Sequence, residues 1–326
     1  MSQAGTGSEI ITRQLAANLA QSGIETVVSP YSQLFELSTP MLTALKFRPP
    51  AGTTLIHANA ATAEGFSRYG IPTVLTAHGA FEKSEFDRFK RTHQRLFHSR
   101  VVRPGIVKAV SHAAAVTAVS QWVAKIYQHD YSAEQVAVIH NWIEPDIFFP
   151  IIKPRTKKLL FVGRATWQKG SHLLPELIRL LGDGFELTCT LTDGQWSGEV
   201  PTNVHLIGPV ARQDMAELYR SHDALLVPSI AEGFCLAAAE AMACGLPVFG
   251  FGGHGLDDVL GPFSDMCSVE LMDLPHLAKS VQGVFDDAKT YGEISMRSSE
   301  YVRSNFTANI ALEKYVALYG KIASLT

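Results

Sequence analysis

The sequence predicts an α/β protein built from two doubly wound parallel-sheet domains. Short apolar strand patterns alternate with helical patterns along all 326 residues, which is typical of parallel sheets covered by helices. A proline-rich break, "EPDIFFPIIKPRTKK", interrupts the alternation near the middle of the chain. The length suits about two domains. We therefore expect an N-terminal domain at 1–152 and a C-terminal domain at 153–305, facing each other across a ligand-binding cleft at the carboxyl ends of their strands.

Each expected strand is a short apolar run. In the first half these runs are 25–29 (ETVVS), 53–58 (TTLIHA), 72–78 (PTVLTAH), 115–120 (AVTAVS) and 136–140 (VAVIH). In the second half they are 158–163 (KLLFVG), 185–191 (FELTCTL), 203–208 (NVHLIG), 224–229 (ALLVPS) and 246–251 (LPVFGF). A first helix is expected over 8–23. Apolar residues at helical spacing predict a last helix at about 306–326, which we expect to cross back to the N-terminal domain.

Composition narrows the class of protein. Apolar residues make up 46% of the chain and charged residues 18%, which is typical of globular proteins. The net charge of −3 does not favour nucleic acid as a partner. The four cysteines form no C-x-x-C pair, so we expect reduced thiols and no zinc site. Without a secretory signal or an apolar run of about 18 residues, we expect a cytoplasmic protein, with the inner membrane face as a second location.

One segment, "EGFCLAAAEAMACGLPVFGFGGHG" at 232–255, combines glutamates and glycines in an apolar context. "CLAAAEAMACG" predicts a core helix that begins near Cys235 and is stopped by Gly245. Glu240 lies inside that apolar helix, where a carboxylate is costly unless something pairs with it. Glu232 lies just before the helix, where a negative charge suits the positive end of the helix dipole.

The start of this helix is a candidate anion site. Free N–H groups at a helix start bind phosphate, and here they belong to four consecutive residues, Gly233, Phe234, Cys235 and Leu236. Glu240, one turn deeper, can accept two hydrogen bonds from a vicinal diol such as a ribose. The pattern indicates a nucleotide diphosphate with a sugar on either side. A plainer interpretation stays open, in which Glu232 is a helix-end charge and Glu240 is exposed on an alanine face.

The glycines that follow match a dinucleotide-binding pattern only formally. Gly250, Gly252 and Gly255 fit G-x-G-x-x-G, but that fingerprint needs a full helix after it. Here "LDDVL" is stopped at once by Gly261–Pro262. A nicotinamide site is therefore weakly indicated, and a flexible glycine loop or a loop lying against a ligand fits as well.

Two cations follow the first strand of the second half. Arg164 comes directly after "KLLFVG", and Lys169 lies five residues further, before Gly170 and Ser171 open a helix. Cations at the carboxyl end of a parallel strand can neutralise a diphosphate as it becomes a leaving group. By themselves, an arginine and a lysine in a loop are more often ordinary solvated side chains.

Together these motifs resemble the retaining family 4 glycosyltransferases of the GT-B fold, which has two Rossmann-like domains. The resemblance rests on "HNWIEPDIFFP", "FVGRATWQKG" and "SIAEGFCLAAAEAMACGLPVFGF", and spans nearly the whole second half. The family's Glu-x7-Glu motif is represented by Glu232 and Glu240. Its Gly-Arg and Lys-Gly pairs are represented by Gly163–Arg164 and Lys169–Gly170.

The resemblance implies roles for these residues. It implies that Arg164 and Lys169 hold the donor diphosphate and that Glu240 holds the ribose hydroxyls. Glu232, with the amides after it, is expected to hold the donor sugar. Cys235 stands where the family more often has glycine or another small residue, which leaves the fine sugar specificity open.

The first half is similar to the family less completely. "PTVLTAHGAF" resembles a strand that ends in a histidine near the reaction centre, here His78, and "HAAAVTAVSQWVAK" resembles a strand that ends in Ser120. "GTGSEIITRQLAANLAQSGIETVV" looks like the glycine-rich loop and first helix, with Gly5 and Gly7 near the donor phosphate. Family members have a strand before that loop, and only Met1–Ala4 stand there. We therefore expect the first domain to lack its usual first strand.

A basic amphipathic stretch lies at 86–108. It carries seven cations, and its apolar residues fall near one helical face. Three interpretations stay open: peripheral contact with an anionic membrane or lipid-linked acceptor, recognition of a soluble anionic acceptor, or an ordinary solvated helix.

The expected reaction is transfer of a sugar, with retention, from a nucleotide-diphosphate sugar to an acceptor hydroxyl. Such a reaction would serve the synthesis of a glycan, a glycolipid or a glycosylated metabolite. A UDP-sugar is favoured as donor and a GDP-sugar is the second candidate. The resemblance implies neither a metal nor another cofactor. The rival hypotheses are a sugar-nucleotide epimerase or hydrolase on the same plan, and a degenerate nucleotide-sugar-binding subunit.

Overall fold

A computed structural model describes residues 7–29, 48–60, 63–80 and 82–324. By their contacts these residues fall in two compact units. The N-terminal unit is bounded by Ile11–His140 and Asn309–Thr326, and the C-terminal unit by Met1–Ile10 and Asn141–Ala308. The expected domain boundary at residue 152 lies after this division. The reason is that segment 141–152 contacts the C-terminal unit: the Ile143 N–H donates to the Phe306 carbonyl (3.0 Å) and the Phe148 ring meets Tyr219 edge-on.

The described residues of the N-terminal unit form a four-stranded parallel sheet. Its strands are β1 (Ile56–Asn59), β2 (Thr73–Ala77), β3 (Ala115–Ala118) and β4 (Val136–Val138), and they lie side by side in chain order. Its helices are α1 (Gly7–Gln21, whose first residues belong to the other unit), α2 (Thr92–Phe97), α3 (Arg103–His112) and α4 (Gln121–Asp130). Short 3-10 segments lie at Ala63–Tyr69 and Ser84–Phe89, and a π segment at His98–Val102 joins α2 to α3. Four of the five strand predictions for this half are thus confirmed.

The prediction of a strand at 25–29 is wrong. These residues have no regular structure, and the Val27 side chain is 63% exposed. Its two valines suit a strand, but a strand requires a neighbour to pair with, and no described strand pairs with them.

In the C-terminal unit, the described residues form a six-stranded parallel sheet with a reversal in strand order. Its strands are β5 (Lys158–Phe161), β6 (Glu186–Cys189), β7 (Val204–Leu206), β8 (Ala224–Val227), β9 (Val248–Phe251) and β10 (Ser268–Val269). The spatial order is β10-β9-β8-β5-β6-β7, so the order reverses between β5 and β8. Ligands of such sheets bind at this switch point, outside the carboxyl ends of the strands. The five strands predicted here are confirmed, whereas β10 was not predicted.

The helices of this unit cover the sheet. They are α5 (Leu174–Leu181), α6 (Met215–Arg220), α7 (Leu236–Ala243), α8 (Leu256–Leu260), α9 (Ser264–Cys267), α10 (Leu274–Asp286) and α11 (Ala288–Asn305). A last helix, α12 (Ala308–Ala323), belongs to the N-terminal unit from Asn309 onwards. Residues 238–243 of α7 are all buried, which confirms the prediction of a core helix.

Candidate active site

Two loops leave the carboxyl ends of β5 and β8, the neighbouring strands at the switch point. The Ile230 N–H donates to the Gln168 carbonyl (2.8 Å), which ties the loops together. Gly170 has a φ of +66°, and a Cβ atom there would overlap the carbonyl of Pro228. Only glycine fits both the conformation and the space. The backbone therefore fixes Lys169 against the segment that leads to Glu232.

Lys169 and Glu232 form an ion pair at this place. Lys169 Nζ lies 2.8 Å from Glu232 Oε1, and the two side chains are 32% and 6% exposed. The Ser229 hydroxyl donates to the same oxygen at 2.6 Å. Burial lowers the pKa of Lys169, but the Glu232 carboxylate more than offsets this, so the pKa lies above its ordinary value. The other Glu232 oxygen, Oε2, accepts no hydrogen bond from the described residues.

Gly163 and Arg164 follow β5 on the same loop. The Gly163 N–H donates to Thr190 Oγ1 at 3.0 Å, which fixes the loop against the end of β6. Arg164 is exposed, and its charge acts on Lys169, lowering that group's pKa slightly. Lys169 thus contacts Glu232, and Arg164, on the same loop, is close enough for its charge to act on Lys169.

Helix α7 starts directly beside this pair. Cys235 caps it in the left-handed conformation (φ 66°, ψ 70°), and its carbonyl accepts the Ala238 N–H at 3.0 Å. The first N–H groups of a helix have no acceptor within it, and they carry its positive partial charge. Burial raises the pKa of the Cys235 thiol, which therefore stays protonated at neutral pH. Cysteine thus holds here a backbone conformation that favours glycine.

The side chains of Phe234 and Leu236, at the start of α7, pack against other parts of the C-terminal unit. The Phe234 ring meets Phe306 edge-on at 5.2 Å, so this side chain is part of the core. A Cβ atom on Gly7 would lie 3.9 Å from Leu236, which places the first turn of α1 beside that residue. Gly5, which we also expected at the donor phosphate, lies outside the described residues.

The glycines in and after β9 serve close backbone packing. A Cβ atom on Gly250 would overlap the Val227 carbonyl of β8, and one on Gly255 would overlap the Gly233 carbonyl. The Gly255 N–H also donates to the Glu232 carbonyl at 3.0 Å. The following helix, α8, has only five residues. These contacts explain the glycines without a dinucleotide.

Glu240 is buried and accepts one hydrogen bond on each carboxylate oxygen. Its side chain is 4% exposed, so the interpretation of an exposed residue on an alanine face is wrong. Arg212 donates to Oε1, and the Tyr219 hydroxyl donates to Oε2 at 3.1 Å. Burial raises the pKa of Glu240, and Arg212 opposes that rise. Each carboxylate oxygen can accept two hydrogen bonds, so each keeps one acceptor position.

Sequence reasoning missed several residues around these glutamates. Arg212 and Tyr219 lie far from the two glutamates in sequence, and the sequence predicts Ser229 only as the end of a strand. His254 is buried; its Nε2 bonds to the Ser229 carbonyl (3.0 Å) and its Nδ1 to the Leu256 N–H (3.2 Å). A histidine among glycines before a short helix was the available signal.

His78, expected near the reaction centre, directly follows β2 in the N-terminal unit. Burial lowers its pKa to about 4, so the ring is neutral at pH 7. Its Nδ1 atom is buried and has no hydrogen-bond partner among the described residues. Ser120 instead caps a helix, since its hydroxyl accepts the Val123 N–H at 3.2 Å.

His57 was not predicted, and it lies in a network of the same unit. Its two ring nitrogens contact the hydroxyls of Tyr319 and Thr76, each at 2.6 Å. Burial, followed by the charge of His78, lowers the pKa of His57 to about 4.

The cations of the basic stretch at 86–108 differ in exposure, since some are buried or paired and others face solvent. Phe86 is buried near Trp122, with ring centroids 6.4 Å apart, and Lys90 is buried and paired with Asp87 at 3.0 Å. Arg103 donates to the Glu82 carbonyl at 2.8 Å. The exposed cations are Arg88, Arg91, Arg95, Arg100 and Lys108.

The described residues contain no candidate for a membrane span or for a metal site. None of their helices combines enough length with enough apolar character for a bilayer span. Within the same residues, no three histidine, cysteine, aspartate or glutamate side chains are grouped so that they could hold a metal ion.

Comparison with known proteins identifies the family. A model described as glycosyl transferases group 1 matches residues 143–301, and one described as glycosyltransferase family 4 matches residues 32–147. The chain belongs to the family 4 glycosyltransferases.

Its curated relatives include D-inositol 3-phosphate glycosyltransferases. The one from Stackebrandtia nassauensis is 24% identical over 324 residues, covering 89% of this chain and 73% of the relative. The one from Paenarthrobacter aurescens is 28% identical over 186 residues, covering 50% of this chain and 45% of the relative. The match thus spans about half the length of several of these relatives, including 46% of the one from Mycobacteroides abscessus.

Solved structures show the fold. Sucrose-phosphate synthase from Thermosynechococcus elongatus has a TM-score of 0.81 at 18% identity, with 99% of this chain and 95% of that chain covered. HepE from Anabaena, solved in complex with UDP-glucose, has a TM-score of 0.72 at 16% identity, with 99% and 98% covered. The predicted GT-B fold of two parallel-sheet α/β domains is therefore confirmed.

Proposed function

We propose that this glycosyltransferase moves a sugar from a nucleotide-diphosphate sugar to an acceptor hydroxyl, with retention at the anomeric carbon and without a metal ion. A UDP-sugar is the favoured donor, because a neighbour of the same fold was solved with UDP-glucose, and a GDP-sugar is the second candidate. We take the acceptor to be anionic or lipid-linked.

One observation carries this proposal. The Lys169–Glu232 pair lies at the switch point of the six-stranded sheet, beside the start of α7. Cationic side chains and helix N–H groups favour a diphosphate there, and a carboxylate favours sugar hydroxyls. The two kinds of group meet where the sugar–phosphate bond of a nucleotide sugar would lie.

The proposed roles follow from charge. Arg164, Lys169 and the first N–H groups of α7 stabilise the diphosphate as its bond to the anomeric carbon breaks. Glu232 Oε2 accepts a hydroxyl of the transferred sugar. The acceptor oxygen bonds to the anomeric carbon from the face that the diphosphate leaves, and its proton passes to a phosphate oxygen. We also propose His78 as a catalytic residue, because it resembles the histidine that family members have at the end of this strand.

The acceptor side rests on the exposed cations of the basic stretch. Arg88, Arg91, Arg95, Arg100 and Lys108 give this surface a positive charge that suits an anionic acceptor or the headgroups of an anionic membrane. Sedimentation with vesicles containing anionic lipid distinguishes the two sources. Binding that is lost when Arg91 and Arg95 become glutamine supports the membrane, and absence of binding supports a soluble acceptor.

Turnover tests the whole proposal. The protein is incubated with UDP- and GDP-sugars in EDTA, with and without inositol phosphates, sugar phosphates and lipid phosphates as acceptors. Release of nucleoside diphosphate is followed, and the anomeric configuration of the product is read by NMR. We expect acceptor-dependent release of nucleoside diphosphate and a product with retained configuration. The rate of release should fall at least a hundredfold in Lys169→Met. It should not change in Arg179→Gln, which alters an exposed ion pair and serves as the control.

Other outcomes identify the rivals. Acceptor-independent release of free sugar indicates a hydrolase, and interconversion of donor sugars indicates an epimerase. Donor binding without any turnover indicates a degenerate binding subunit. Dependence on a divalent cation, or an inverted product, contradicts the mechanism.

A further inference from the structure

Glu240 is a carboxylate in an environment that disfavours charge. It lies on α7, which is otherwise apolar and almost entirely buried. A lone ionised carboxylate there would tend to take up a proton, because burial favours the neutral form. Any role for Glu240 as a charged acceptor therefore requires groups that keep it ionised and oriented.

Two residues of the segment before β8 meet this requirement. Arg212, in the 3-10 turn that precedes α6, donates through Nη1 to Glu240 Oε1. Tyr219, on α6 and fully buried, donates its hydroxyl to Oε2 at 3.1 Å. Each carboxylate oxygen is thus fixed by one donor, and each keeps one acceptor position for a ligand.

Arg212 is itself held from two further directions. Its Nη2 donates to Glu144 Oε2 at 3.0 Å, and its guanidinium lies over the Phe148 ring at 4.8 Å. The same ring meets Tyr219 edge-on at 6.0 Å. The guanidinium is therefore pre-organised rather than free to follow solvent, which suits a group that orients another.

Glu144 and two thiols are further titratable groups beside Glu240 in the described part of the chain. Glu144 opposes its ionisation, and the thiols of Cys235 and Cys244 stay protonated because burial raises their pKa. Among the described residues that act on Glu240, Arg212 is the cation that opposes the rise in its pKa caused by burial.

We infer that Arg212, with Tyr219, is a positioning residue that holds Glu240 to accept the ribose hydroxyls, making the site selective for ribonucleoside over deoxyribonucleoside diphosphates. This inference rests on the proposed function, in which Glu240 binds the donor ribose. Arg212 acts through Glu240 and need not touch the nucleotide.

The test compares two ligands across matched variants. UDP and 2′,3′-dideoxy-UDP are titrated by calorimetry into the full chain, together with the guanosine pair in case GDP is the donor base. Hydrogen bonds to a charged group favour UDP by about tenfold to a hundredfold. In Arg212→Gln we expect this preference to fall below about threefold, while dideoxy-UDP, which relies on the diphosphate contacts, keeps its affinity.

Two further variants separate positioning from folding. Arg220→Gln is the control, because Arg220, the last residue of α6, also lies over a ring (Phe149, 4.7 Å) but donates to the Ile147 carbonyl and not to Glu240. It should keep the full preference. Tyr219→Phe removes only the second donor and should reduce the preference by about fivefold to tenfold. Measuring UDP affinity as the pH is lowered adds a second readout. Without Arg212, Glu240 should take up a proton at a higher pH, so binding to Arg212→Gln should begin to weaken at a higher pH than binding to the native chain.

The outcomes are distinct. If the native chain binds no nucleoside diphosphate, the proposed function fails. If it binds UDP and dideoxy-UDP equally, the ribose role of Glu240 fails. If Arg212→Gln keeps the native preference, or loses affinity for both ligands in equal proportion, the inference about Arg212 is overturned.

Discussion

Breaking the Lys169–Glu232 pair should cost a measurable part of the stability of the C-terminal unit. Removing one partner of a buried ion pair costs about 3–5 kcal/mol. Here Lys169 is 32% exposed, and Ser229 still donates to Glu232, so we reduce the expectation for Lys169→Met to about 2 kcal/mol. For a unit of this size that corresponds to about 4–8 °C in the unfolding midpoint.

The double variant tests the cause. In Lys169→Met/Glu232→Gln no charge is left unpaired, so we expect it to be more stable than the sum of the single effects predicts, by about 1 kcal/mol or more. Differential scanning calorimetry at neutral pH measures all three variants. Additive effects within about 0.5 kcal/mol, or no shift in Lys169→Met, would refute the reasoning. Arg179→Gln, which breaks an exposed ion pair, is the control, and its unfolding midpoint should not change.

Three other changes have defined outcomes. Gly255→Ala should lower the unfolding temperature sharply because its Cβ meets a backbone carbonyl, whereas Gly283→Ala, in a helix with open space around it, should be neutral or stabilising by up to about 1 kcal/mol. Cys235→Gly should keep or raise the free energy of unfolding, since a left-handed residue with a side chain costs about 1–2 kcal/mol. Chemical denaturation measures this free energy. A clear loss would show that burial of the thiol outweighs the backbone strain. His57, with its pKa lowered to about 4 by burial, favours the folded state fully above pH 6.5 and loses that contribution as the pH falls towards 4. His57→Gln should therefore flatten the acid dependence of unfolding between those values, and an unchanged profile would contradict this.

The sequence predicted most of the sheet because parallel strands read as apolar runs. It failed at 25–29, where β-branched residues suit a strand but no described strand pairs with them. It also failed at β10, where a two-residue strand is too short to leave a pattern. Strand order cannot be read from periodicity, so the switch point between β5 and β8 became visible only in the structure.

The candidate site was predictable where its residues are close in sequence. Glu240 stands out because a carboxylate in an apolar helix needs an explanation, and Glu232 because it lies just before that helix. Arg212 did not stand out, because a cation near the start of a helix is ordinary and its partner lies 28 residues away. Contacts of that kind are set by tertiary packing, and a single sequence carries no local signal for them.

The most direct test of the account is nucleotide binding at the switch point. Thermal unfolding is measured with UDP, GDP, ADP and their sugar conjugates, for the native chain and for Glu240→Ala. A ligand at about 100 times its dissociation constant adds about 2.7 kcal/mol of stability. The account predicts a shift of that size with one nucleotide family, UDP first, and its loss in the variant. A native chain that no nucleotide stabilises would contradict it.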